Sequence, residues 1–394
     1  MNFSDIIGQR DIIEHLRKLA DENRLPHALM LCGPQGCGKM AIAMALASYV
    51  LCTGRHGDGS MSMFGDEEES ARMTDSCGTC PSCMMLRRWQ HPDLHFSYPI
   101  YRKKGLPSDK KPTSDDFAQE WFSMLESNGP YFSLQGWLEE IKVETQQSLM
   151  TVAESDRITQ ALMMKSNQGG KKISLIWLPE KMNEECENKI LKLLEEPPSE
   201  THFILVSVHP ELLLDTIRSR VQRFDVKPIA AQDVRQALME RRGLTEEDAT
   251  RTARLAGGNW LKAIMLLTPG NEEVQFFDFY VMLMRKAYMR DVKDLKKWTE
   301  QVAMLGREKQ LRLLHQFVHL TREFFMYNFH NPSLVYLTQE EEEFAVRFAK
   351  YVNEHNVIAM YELFQRAIRD IGQNANPKIL FFDVAMRMAV MIRR

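Results

Sequence analysis

The chain has 394 residues, of which 44% are hydrophobic, and a formal net charge of −3. That length implies two or three domains with cores of their own, and the near-neutral balance leaves a polyanion partner no global attraction, so any nucleic-acid contact has to be local. The longest apolar runs, such as Ile173 to Pro179, are far too short to span a membrane, and Met1-Asn2-Phe3-Ser4-Asp5 lacks signal-peptide form, which predicts a cytoplasmic protein with no membrane partner.

A lead-in, Phe3 to Gln9, precedes a helix with Ile12, Leu16, Leu19 and Ala20 on one face, ending before Pro26. Ala28-Leu29-Met30-Leu31-Cys32 suits a buried strand, and Ala41 to Val50 is rich in helix formers. Between them Gly33-Pro34-Gln35-Gly36-Cys37-Gly38-Lys39-Met40 fits the phosphate-binding pattern G-x-x-x-x-G-K, in which backbone N–H groups cradle phosphate and the lysine reaches its terminal oxygens. The next position normally carries a Ser or Thr hydroxyl for Mg²⁺, and here it is the soft thioether of Met40. Gly33, Gly36, Gly38 and Lys39 are therefore candidate phosphate contacts in a loop that positions Mg²⁺ poorly.

Four of the seven cysteines fall as Cys52 followed by Cys77-Gly78-Thr79-Cys80-Pro81-Ser82-Cys83. Three thiolates at C-x2-C-x2-C spacing with a fourth upstream can close a tetrahedral shell around Zn²⁺, and four thiolates leave no open position, so the expected role is structural. The polar stretch Thr53 to Ser76 makes Cys52 the least secure of the four, with His91 and His95 as alternatives. From Tyr98 to Tyr131, Arg102, Lys103, Lys104, Lys110 and Lys111 are interrupted by Pro99, Pro107 and Pro112, which reads as an exposed inserted loop with a solvated charge run. Ile173 to Leu178 and Phe203 to Val208 are further buried strands, and the chain beyond Asp225 is helical. Residues 270 to 394 carry amphipathic helices with Leu311, Leu314, Phe317, Val318 and Phe325 as an apolar face, and Lys293, Lys296 and Lys297 on a solvated one.

Several of these stretches together resemble the bacterial DNA polymerase III clamp-loader family of AAA+ ATPases. The lead-in Phe3-Ser4-Asp5-Ile6-Ile7-Gly8-Gln9, the cysteine module, His91-Pro92-Asp93-Leu94, Leu194-Glu195-Glu196-Pro197-Pro198 and Leu214-Asp215-Thr216-Ile217-Arg218-Ser219-Arg220-Val221-Gln222-Arg223-Phe224 carry the likeness. It implies an α/β AAA+ P-loop domain over 1–226, with a parallel sheet, a zinc module at about 52–95 and the inserted loop at about 97–131. A helical lid over 227–269 and an all-α collar for oligomerisation over 270–394 complete the expected chain.

By the same resemblance Leu178 and Pro179 stand where hydrolysing members carry Asp and Glu, and Leu261 stands where a phosphate-sensing arginine belongs. Arg220, after Ser219, corresponds to an arginine finger that reaches the γ-phosphate in a neighbour's site, with Val221 replacing the family's cysteine. The implied protein is a stator with weak or absent ATP binding that assembles with gamma/tau motor subunits and delta to load the sliding clamp on primed DNA. Two alternatives stay open at this point: an active AAA+ ATPase using Lys39 and Glu180, and a zinc-dependent interaction protein outside replication.

Overall fold

The computed structural model describes residues 1–54, 75–101, 111–142, 148–166, 170–267, 271–331 and 335–393. The chain divides into two compact units, Met1–Ile264 and Met265–Arg394.

Five short strands form the sheet of the first unit: β1 (Ala28–Cys32), β2 (Leu94–Ser97), β3 (Lys172–Trp177), β4 (Thr201–Ser207) and β5 (Gln222–Asp225). All pairings are parallel and the spatial order is β2-β3-β4-β1-β5. β1, β3 and β4 are buried along their whole lengths, which is why they read in sequence as continuous apolar runs; the edge strand β5 buries only Phe224. Every residue of the helix Lys39–Val50 is buried, and its run of alanines lets it lie close to the sheet.

The stretch between Tyr98 and Tyr131 departs from the exposed loop expected of it. Among its described residues a 3-10 turn, Ser114–Phe117, runs into the helix Ala118–Asn128, with Phe117, Trp121, Met124 and Leu125 buried. Trp121 stacks on Tyr98 at 4.0 Å and meets Trp137 and Trp177 at 5.2 and 5.5 Å. The apolar positions 117, 121, 124 and 125 sit at helical spacing, and burying them outweighs the basic and proline-rich start of the segment. Arg102, Lys103, Lys104 and Lys110 lie outside the described residues.

This helical insert is tied down by a buried ion pair. Glu154, fully buried, accepts from Arg157 Nη2 at 2.6 Å and from the Ser114 N–H and hydroxyl at 2.8 and 2.9 Å. Arg157 also donates to Phe96 O on β2 at 2.6 Å. Removing Glu154 would leave Arg157 with Asp115 at 2.9 Å and Phe96 O, but it would strand the buried Ser114 N–H, at a cost of about 1–3 kcal/mol. Glu154→Ala is accordingly expected to destabilise the first unit by about that much, read as a lower urea midpoint in tryptophan fluorescence; a change below about 1 kcal/mol would contradict this account.

After β5 come helices Ala231–Arg242, Glu246–Ala256 and Trp260–Leu267, the last two joined through Gly257 and Gly258. Gly258 has φ +80°, and a Cβ there would lie 2.6 Å from Ile229 O, so the crossing needs glycine.

The second unit is helical among its described residues, with helices Asn271–Met289, Val292–Ala303, Arg307–Tyr327, Gln339–Phe348, Val357–Gly372 and Pro377–Met391. Its core gathers Tyr280, Trp298, Leu314, Phe317, Phe324, Phe364 and Phe381, with Leu311, Val318 and Phe325 packed at the margin. Lys293, Lys296 and Lys297 are exposed. No described helix is long and apolar enough to cross a membrane.

Candidate functional site

β1 delivers the chain into the glycine loop and Gly38, at φ +93°, caps the helix Lys39–Val50. The first N–H groups of that helix have no intrahelical partner and carry the positive end of its dipole, an arrangement that suits an anion. Lys39 is buried, and its Nζ folds back onto the loop, donating to Gly33 O at 2.6 Å and Pro34 O at 2.5 Å. Burial pulls its pKa below the ordinary lysine value. The lead-in braces the same loop: Gln9 Nε2 donates to Cys37 O at 2.9 Å and to Lys227 O at 2.6 Å. From the other side Trp260 N donates to Gly36 O at 3.0 Å, and Asn259 lies so close that a Cβ on Gly36, itself at φ +73°, would fall 1.8 Å from its Oδ1.

In front of the loop is a cavity of about 280 Å³ whose lining includes Met40, Phe132, Trp177, Leu178, Val208 and Leu261. Leu178 follows β3 directly in a left-handed conformation, at φ +55°. The structure thus brings Met40, Leu178 and Leu261 around one cavity at the loop, and none of the three offers a metal ligand of the hard, oxygen type or a cationic group. Glu180 also lines it, but its carboxylate is engaged: Oε2 accepts from Ser207 Oγ at 2.9 Å, and Oε1 accepts from Val208 N and His209 N at 2.9 and 3.1 Å. A carboxylate holding three donors is a brace for the end of β4, poorly placed to activate water.

The four cysteines converge. The Sγ atoms of Cys52, Cys77, Cys80 and Cys83 all lie within 4.8 Å of one another, with Cys52–Cys80 at 3.9 Å and Cys77–Cys83 at 3.8 Å. A tetrahedral Zn²⁺ with Zn–S of ~2.3 Å requires S···S edges of about 3.8 Å, so the donor set fits such a metal. Backbone N–H groups of Cys77, Cys80 and Cys83 point at Cys52, Cys77 and Cys80 sulfurs at 3.3 to 3.4 Å, which suits thiolates. Cys52 stands with the others despite the long intervening stretch, of which residues 55–74 lie outside the described residues.

His91 does not join them. Its Nδ1 accepts from Asp93 N at 3.1 Å, which leaves the proton on Nε2 facing Ser82 Oγ at 3.2 Å, and burial lowers its pKa. His95 is not among the converging ligands either. Asp75 staples the module to the lead-in by accepting from Phe3 N and Ser4 N, both at 2.9 Å.

Arg220 follows the short helix Asp215–Arg218 and is partly exposed. Its Nη2 pairs with Glu195 at 2.5 Å, and its Nη1 donates to Thr216 O at 3.1 Å and to Ser219 Oγ at 3.4 Å. Ser219 Oγ in turn donates to Thr216 O at 3.0 Å. Tyr131, which sequence reasoning did not single out, also lines the cavity at the loop: it comes from the insert, its ring faces Gly38 and its hydroxyl accepts from Ile7 N in the lead-in at 3.0 Å. The Tyr131-Phe132 pair after Gly129-Pro130 was the available signal.

Residues 8–230 match the sequence model of the family described as DNA polymerase III, delta subunit. A DNA polymerase III subunit delta' from Bacillus subtilis (strain 168) is 25% identical over 232 residues, covering 59% of this chain and 51% of that protein. A subunit delta' from Yersinia pestis is 29% identical over 196 residues, 49% of this chain and 39% of its own. A DNA polymerase III subunit gamma/tau from Mycobacterium bovis (strain ATCC BAA-935 / AF2122/97) is 24% identical over 263 residues, 66% of this chain and 35% of its own. The chain spans about half the length of the curated relatives it matches. With the sheet, the phosphate loop, the cysteine module and the Arg220 segment all inside a match that takes in more than half of its residues, the chain belongs to the DNA polymerase III delta-subunit family.

Proposed function

We propose that this chain is a non-hydrolysing subunit of the DNA polymerase III clamp loader, assembled with gamma/tau motor subunits and delta. In this reading it supplies Arg220 in trans to a neighbour's ATP while the complex loads the sliding clamp on primed DNA during replication. One asymmetry carries the reading: the chain's own loop is faced by Met40, Leu178 and Leu261, whereas Arg220 stands at the surface on a partly exposed side chain. Guanidinium is always charged and presents a fork of donors to phosphate oxygens, so it serves a site in another chain without a proton-transfer role. The names of the relatives, delta' and gamma/tau, support the assembly.

Residues 1–226, 227–269 and 270–394 then act as ATPase-like domain, lid and collar. Zn²⁺ held by Cys52, Cys77, Cys80 and Cys83 is a structural ion in this account. Ile379, Phe382 and Val390, exposed on one helix, Pro377–Met391, offer an apolar stripe for ring contacts in the collar. ATP turnover by a reconstituted complex, with and without Arg220, is the deciding experiment.

A cheaper measurement tests the loop alone. The isolated chain is expected to show no ATP turnover above background, and Met40→Thr is expected to leave it there, because a restored hydroxyl does not replace the carboxylates that Leu178 and Pro179 displace. A missing positioned base costs about 10²–10⁴ by itself. Steady hydrolysis by Met40→Thr would sink the non-hydrolysing reading.

A further inference from the structure

We propose that Tyr131 is an internal stopper of the degenerate loop: its side chain fills the space beside Gly38 in which the ring of a bound nucleotide would lie. The proposal deepens the reading of Gly33–Lys39 as a former nucleotide loop and rests on it.

Two independent contacts place the stopper. The Tyr131 hydroxyl accepts the N–H of Ile7 at 3.0 Å, satisfying a buried backbone donor in the lead-in. Its ring lies where a methyl group built on Gly38 would meet it at 3.5 Å, against the residue that caps the phosphate-seat helix. Trp260 flanks the same ring at 6.2 Å, and Tyr131 is buried.

A ligand with its phosphates on the helix N-terminus has two directions open to its organic part. One leads past Lys39 and Met40 toward Leu178, through the open cavity of about 280 Å³ of which Tyr131 forms one wall. The other leads between Ile7 and Trp260, where one buried N–H donor and an aromatic face suit a planar heterocycle. Tyrosine is itself a planar ring bearing one acceptor oxygen, and it already satisfies that donor and packs near that face.

The stopper is held firmly. Its neighbour Phe132 packs edge-on against Trp121 at 5.3 Å and Trp177 at 4.9 Å, and the described part of the insert is anchored through Ser114 to Glu154. Displacing Tyr131 would strand the Ile7 N–H and disturb this aromatic packing, so a nucleotide has to meet both costs before its own contacts count. Tyr131 therefore closes this second direction by occupancy, while the cavity toward Leu178 is faced by Met40, Leu178 and Leu261 in place of metal-ligating or sensing groups.

The test is a titration of fluorescent N-methylanthraniloyl-ADP into the full chain, without added Mg²⁺, for wild type, Tyr131→Phe and Tyr131→Ala. Wild type and Tyr131→Phe, which keep the ring, are expected to show no saturable binding up to about 100 μM, and Tyr131→Ala to bind at least about tenfold more tightly. Should Tyr131→Ala lose its native circular dichroism, Tyr131→Val, which keeps more apolar bulk, is read in its place. Saturable binding by wild type as tight as that of the truncated variant overturns the proposal, and so does a folded truncated variant that binds no better than wild type. The assay contains no motor subunit and leaves Arg220 unchanged in every variant, so its failure is separable from failure of the in-trans reading.

Discussion

Replacing Arg220 with alanine is expected to slow ATP hydrolysis at the neighbouring motor site by about 10³-fold or more, the usual worth of an arginine finger. In the proposed assembly the effect should be local to catalysis. Arg220 is partly exposed, and its partners Glu195, Thr216 O and Ser219 are surface groups, so truncation removes a surface ion pair worth about 0–1 kcal/mol and leaves the fold intact. Arg220→Lys should fail to rescue, since a point ammonium cannot reproduce the fork. Single-turnover hydrolysis in the assembled complex, with assembly checked by gel filtration, reads the served site even where other motor sites keep their own fingers. Unchanged hydrolysis in an intact assembly would make the Ser219-Arg220-Val221 resemblance merely ancestral.

The parts of this site legible in sequence are those whose chemistry depends on short spacing. A phosphate loop needs its glycines and lysine within eight residues, and Gly33 to Met40 showed both the pattern and its break. Three of the four cysteines announced themselves for the same reason. Cys52 was named with them but less securely, because its membership depends on the end of the helix Lys39–Val50 being delivered beside Cys80, a tertiary fact with no local signature. The buried strands were equally plain, since β1, β3 and β4 are covered on both faces and their residues are apolar without alternation.

The insert was misread because two signals in it compete. Five basic residues and three prolines describe its beginning, while Phe117, Trp121, Met124 and Leu125 describe its middle, and only packing decides which prevails. Trp121 and Trp137 are fully buried among Tyr98, Phe132 and Trp177, so the aromatic residues govern the described part. The role of Glu180 was likewise invisible: its three donors come from Ser207, Val208 and His209, nearly thirty residues away. A carboxylate two positions late in a motif looks like a substitute base until its partners are known.

Loss of a Zn²⁺ ion held by the four cysteines is expected to have the second large effect, and on stability rather than turnover. Cys80 is the most consequential ligand to remove: its sulfur accepts from Cys83 N at 3.4 Å and caps the helix Pro81–Leu86, besides facing Cys52. In Cys80→Ser the three remaining thiolates no longer close a tetrahedral shell, while a serine at the N-cap keeps the cap of the helix Pro81–Leu86, so the variant reads the loss of metal binding rather than of the cap. Loss of a metal belongs with the severe class of substitutions, above about 4 kcal/mol. For a unit of this size each kcal/mol moves Tm by about 2–4 °C, so a fall of about 10 °C is expected.

The consequence should travel along the Asp75 staple, since Asp75 holds the Phe3 and Ser4 amides only while the module is folded beside them. Amide exchange at Phe3 and Ser4 is therefore expected to rise together with loss of zinc measured by atomic absorption, whereas the helices of Met265–Arg394 keep their protection. Purified wild type should carry one zinc per chain, and a chelator strong enough to strip it should reproduce the Tm shift of Cys80→Ser. Full zinc occupancy in Cys80→Ser, or a stripped wild type that melts at its original temperature, would show that the four sulfurs converge without holding a metal that matters to the fold.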